Sequence, residues 1–80
     1  MNVTAEIRQA ASGLVVSVPG ILGGKPVFRG TRLPVETLFQ YLADNLTVDY
    51  YLETFPSVTR EQVLAVLRYG QWRIEQELAA

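Results

Sequence analysis

The side chains with the widest chemical reach are three cations, Lys25, Arg29 and Arg32, set within eight residues that contain no acid. On a glycine-containing segment they suit contact with phosphate groups, with backbone amides helping. An arginine's rigid fork suits an internal partner equally well. Arg32, immediately before the first helix, is well placed to hold the strand segment against the helices instead. From Glu36 to Glu53 the sign reverses: Glu36, Asp44, Asp49 and Glu53 have no lysine or arginine among them. The net charge is −1, so any positive surface is local and separate from an acidic one.

Catalytic chemistry finds little material. The chain has no histidine and no cysteine. The commonest general base, the thiolate nucleophile, disulfides and the commonest metal ligands are therefore absent. Asp49 and Glu53, four residues apart on a helix, read as a solvated face. The glycines of PGILGGKPVFRG match neither the dinucleotide-binding nor the phosphate-loop pattern. The residues point to a binding protein and away from an enzyme, with no cofactor, no metal and no small-molecule substrate.

Two further positions carry recognition chemistry. The start of the last helix presents Thr59, Arg60, Glu61 and Gln62. In a helix-turn-helix this end of the second member faces base edges, and arginine and glutamine are types that read guanine and adenine. With Lys25, Arg29 and Arg32, the candidate DNA contacts are then Thr59, Arg60 and Gln62. A plainer reading makes Thr59 and Gln62 helix caps and leaves Arg60 solvated. The second position is Trp72, opposite the apolar stripe of the same helix and so a candidate protein-interface anchor. Its alternative is to be covered by the strands or the N-terminal tail.

These positions need a scaffold, and eighty residues make one domain. Its organisation reads as an N-terminal tail over 1–13, a β element with the basic segment over 14–33, and three helices over 34–78. An apolar fraction of 49% is ordinary for a folded chain and excludes wholesale disorder. Residues 5–11 read as a frayed helix or a loose tail. Leu14–Val18 and Pro26–Phe28 read as two short strands, separated by Pro19-Gly20 and Gly23-Gly24. The first helix starts at Pro34, with Val35, Leu38, Phe39 and Leu42 on one face. Thr47 caps the second, which carries Val48, Tyr51, Leu52 and Phe55 and stops at Pro56. Thr59 with Gln62 forms a capping box for the third, which runs to Leu78. Gly70 inside it marks a close approach or a bend. The expected core is Val35, Leu38, Leu42, Leu52, Phe55, Val63, Leu67 and Ile74. The fold class is thus mainly α, a short two-stranded β element followed by a three-helix, helix-turn-helix-like bundle. No stretch approaches the roughly 20 apolar residues that span a bilayer. Glu6 and Arg8 interrupt any signal peptide. The expectation is a soluble cytoplasmic protein with no membrane partner.

The run PGILGGKPVFRGTRLPV, from Pro19 to Val35, resembles the signature of the DUF433 family of small bacterial and archaeal proteins. YLADNLTVDYYLETFPSVTREQVLAVLRYG resembles the family's later part, and together the likeness covers about residues 14 to 70. The resemblance implies a helix-turn-helix-type fold. It also implies the role of antitoxin in a type II toxin–antitoxin pair, neutralising a PIN-like nuclease toxin encoded beside it and binding operator DNA as a repressor. A homodimer is the expected assembly. Two alternatives stay open: a protein-interaction module that does not bind DNA, and a stand-alone transcription regulator. The resemblance carries over no functional residues. Family members often have Asp before the Pro-Gly turn, where this chain has Val18. Gln71 to Ala80 fall outside the signature.

Overall fold

The architecture is mainly helical with a small sheet, and the computed structural model describes residues 8–11 and 13–79. Strands β1 (Arg8–Ala10), β2 (Val15–Ser17) and β3 (Val27–Phe28) precede helices α1 (Glu36–Ala43), α2 (Val48–Thr54) and α3 (Arg60–Leu78). The strands form one antiparallel sheet in the order β1-β2-β3. Ala10 lies opposite Val15, and Val15 opposite Phe28.

The β element is larger than its sequence suggested. Residues 8–10 form a strand, not part of a frayed helix or loose tail; Ala5–Ile7 of that expected segment lie outside the described residues. The reason is tertiary: β2 offers a full edge of backbone groups, and pairing with it outweighs weak local preference. Between β2 and β3, Leu22, Gly23 and Gly24 are all left-handed, with φ of 50°, 66° and 86°. Glycine takes that conformation without steric cost and leucine does not. The Ser17 hydroxyl donates to the Gly24 carbonyl and pins the turn to β2.

The first helix begins two residues later than the proline suggested. Pro34 is held extended against Val27 as an isolated bridge, so regular helix waits until Glu36. The other two starts are as the caps specify. The Thr47 hydroxyl accepts from the Tyr50 amide at 3.0 Å. At α3 the Thr59 hydroxyl accepts from the Gln62 amide at 3.1 Å, and the Gln62 side chain accepts from the Thr59 amide at 2.9 Å.

Val15 and Phe28 on one sheet face join Leu38, Tyr51, Val58, Val63 and Val66 in the core. Val35, Leu42, Leu52, Phe55 and Leu67 pack around it, half-buried. Tyr51 is fully buried, and its hydroxyl lies 2.8 Å from the Thr37 hydroxyl. Burial pushes the Tyr51 phenol above its ordinary value, against the lowering pull of the Thr37 bond and with a small upward push from Tyr41. Tyr41 packs edge-on to the Tyr51 ring at 5.2 Å between centroids, and Phe55 lies tilted against it at 5.0 Å.

Ile74 corrects the expected core: it is 60% exposed, and Leu78 further along is 82% exposed. Both continue the stripe of Val63 and Leu67. A 19-residue helix is about 28 Å long at 1.5 Å per residue, and the described core ends near Leu67. Among the described residues, the stripe has no body beneath it beyond Gly70. Among the described residues, no helix is long and apolar enough to cross a membrane.

Candidate functional site

Four of the six candidate DNA contacts cluster. The Gln62 amide donates to the Arg29 carbonyl at 3.3 Å, which brings the loop after β3 against the first turn of α3. Arg29, Thr59, Arg60 and Gln62 therefore share one corner of the domain. Lys25 lies at the opposite end of β3, beside α1.

Most of these side chains already have partners. Thr59 and Gln62 form the capping box. Arg60 is ion-paired with Asp49 of α2, both well exposed. Lys25 pairs with Glu36 at 2.8 Å. The Arg29 guanidinium donates through Nε to the Gly13 carbonyl, tying the β3 exit to the loop between β1 and β2. Arg32 is exposed, and no hydrogen bond or ion pair engages its side chain among the described residues. Exposed pairs such as Asp49–Arg60 contribute about 0–1 kcal/mol, so Arg60 is free to exchange its carboxylate for another anion. Asp49 would nevertheless remain beside that anion and repel it. Among the acids of the 36–53 run, Asp44 and Glu53 are exposed and outside both ion pairs.

The distal half of α3 presents a different chemistry. Trp72 is 50% exposed, with Tyr69 tilted against it at 5.8 Å between ring centroids. With Ala65, Arg68 and Ala11 the two rings border an open hollow of about 480 Å³. Ala11, after β1, approaches the foot of this hollow, and the described strands leave the indole half-exposed; the alternative cover, by the N-terminal tail before Arg8, lies outside the described residues. Sequence reasoning singled out Trp72 and missed Tyr69, although a spacing of three residues puts both rings on one side of a helix. Phe39, read onto the apolar face of the first helix, is exposed, as is Leu22, which sequence reasoning did not single out. Among the described residues no cluster of acids, histidines and cysteines could hold a metal ion.

The same sheet-and-three-helix arrangement occurs in a crystal structure of a DUF433 member protein from Anabaena variabilis ATCC 29413. It superposes with a TM-score of 0.66 at 30% identity, covering 84% of this chain and 69% of that one. The family profile of DUF433, described as a protein of unknown function, matches residues 15–70. The chain belongs to the DUF433 family. The DUF433 match takes in the sheet from β2, the basic loop, α1, α2 and α3 as far as Gly70. It stops short of Trp72, Ile74 and Leu78. This DUF433 chain is also 40% identical over 62 residues to the uncharacterized protein y4eO of Sinorhizobium fredii (strain NBRC 101917 / NGR234). The likeness covers 78% of this chain and 28% of that protein, so the chain spans little more than a quarter of its relative's length.

Proposed function

We propose that this DUF433 protein acts as an antitoxin-like binding partner, neutralising a PIN-like nuclease toxin by direct contact. The observation that carries the reading is the exposed Tyr69–Trp72 pair on distal α3. Exposed paired aromatics are costly to leave in water and are the residue types that dominate protein interfaces. Asp44 and Glu53 add negative charge toward the basic groove of an RNA-cutting nuclease. The test is co-expression with a PIN-like protein encoded beside this chain, read by growth and by co-purification. Wild type restores growth and co-purifies, and Trp72→Ala does neither. Growth arrest that wild type leaves unrelieved would sink the reading.

Operator binding is the second reading, favoured by the Gln62–Arg29 bond that gathers Arg29, Thr59, Arg60 and Gln62 at one corner beside Arg32. The partners already held by Arg60 and Arg29 make it the weaker of the two. A gel shift with the DNA upstream of the coding region tests it directly.

A further inference from the structure

The two sides of distal α3 differ. Tyr69 and Trp72 occupy one. Gly70, Ile74 and Leu78 lie on the other, where the core stripe has run past the body of the domain. Gly70 is a helix-interior glycine, a choice that costs about 1 kcal/mol against alanine. A Cβ placed there would meet nothing within 4 Å among the described residues, so their packing does not demand the glycine. It opens instead onto an apolar cleft of about 250 Å³ between α3, the sheet and α1, bounded by Val15, Pro26, Val35, Phe39 and Tyr69. Leu78, two helical turns further on, is more exposed than any other large apolar side chain described.

We infer that this cleft takes the end of α3 from a second copy of the chain, in a two-fold antiparallel dimer with Ile74 on the axis. An antiparallel pair centred on Ile74 sets each Leu78 over the partner's Gly70, at the mouth of the cleft. Knob and notch belong to the same chain, so one contact made twice closes the assembly. Charge is compatible with this direction. Arg73 and Glu77 lie on one flank of the stripe, and no ion pair joins them within their own helix. Two-fold antiparallel packing faces like flanks, which brings Arg73 alongside the partner's Glu77, twice. The area suffices. Phe39, Ile74 and Leu78 expose roughly 370 Å² per copy, taking about 200 Å² for each whole residue. With the polar flanks the contact reaches the ~1,000 Å² total of a specific interface. The dimer leaves Trp72, on the opposite side of the helix, open to the proposed nuclease partner, while Tyr69 borders both surfaces.

Sedimentation of the purified full chain over a concentration series, with circular dichroism on each sample, tests this without any other protein. Wild type should sediment at twice the 8.9 kDa of one chain. Ile74→Asp and Leu78→Asp should sediment as monomers with unchanged helicity, because neither side chain belongs to the core. Gly70→Leu should likewise be a folded monomer, its notch filled. Arg73→Glu and Glu77→Arg should each weaken association about tenfold, and the double swap should restore it. A wild-type chain that stays monomeric throughout overturns the dimer. So does a dimer indifferent to Ile74→Asp and Leu78→Asp. A double swap no stronger than either single one overturns the antiparallel register, and this readout stands even if an aspartate variant loses helicity.

Discussion

Gln62 does two jobs with one amide: its oxygen accepts from the Thr59 backbone at 2.9 Å and its nitrogen donates to the Arg29 carbonyl at 3.3 Å. The first bond closes the start of α3, and the second straps the basic loop to it. Gln62→Glu should keep the cap and lose the strap, while Gln62→Ala loses both. Ala should cost about 1 kcal/mol in urea unfolding, in the range of a lost cap, and Glu less. Equal losses would mean that the bond to Arg29 carries all the effect.

Stability at high pH depends on Tyr51. Burial raises its folded pKa above the unfolded value near 10. A raised folded pKa means that the unfolded chain ionises first. The contribution is therefore fully present below pH ~10 and is lost as pH rises through the folded pKa. Wild type should lose stability across that window, and Tyr51→Phe should lose less, from a starting point about 1 kcal/mol lower for its missing Thr37 bond. Parallel pH curves for the two proteins would remove Tyr51 as the cause.

The left-handed turn offers a stabilising change. Leu22 has a φ of 50° and an exposed side chain. Leu22→Gly should leave thermal stability unchanged or raise it by up to about 1 kcal/mol, because the steric penalty of a left-handed leucine disappears. A clear fall in melting temperature would show that the leucine side chain contributes packing that its exposure conceals.

If operator DNA is bound, the cations should separate in a salt titration. Arg32→Ala should lower the slope of log K against log salt by about one. Lys25→Ala should leave it unchanged, since Lys25 holds Glu36 at the far end of β3. The reverse order would place the DNA against α1.

Local features were the legible ones. The caps at Thr47 and Thr59 and the stop at Pro56 act within one helical turn, so a short window of sequence contains them whole. The stripes gave the direction of each buried face. They could not give how far the body extends beneath α3, which is why Ile74 was expected inside and lies outside. Strand β1 escaped for a related reason: its bonds are made to β2, and nothing in Arg8–Ala10 alone demands them. At the candidate site the residue types were readable and their partners were not. Lys25–Glu36 and Asp49–Arg60 each join residues eleven apart on different elements, so a cluster of cations in the sequence is partly neutralised by neighbours supplied by the fold.

The family match and the described core both give out near Gly70, while the helix continues to Leu78. In the proposed dimer, fold and association therefore divide along one helix. A cut after Gly70 should leave a cooperatively folding domain that keeps the cleft and loses Trp72, Ile74 and Leu78, which would meet its companions. Substitutions in the last two turns can accumulate without a folding penalty and be judged only by the company the protein keeps. With such a dimer, related chains that share the first seventy residues would be free to sort into pairs that do not mix.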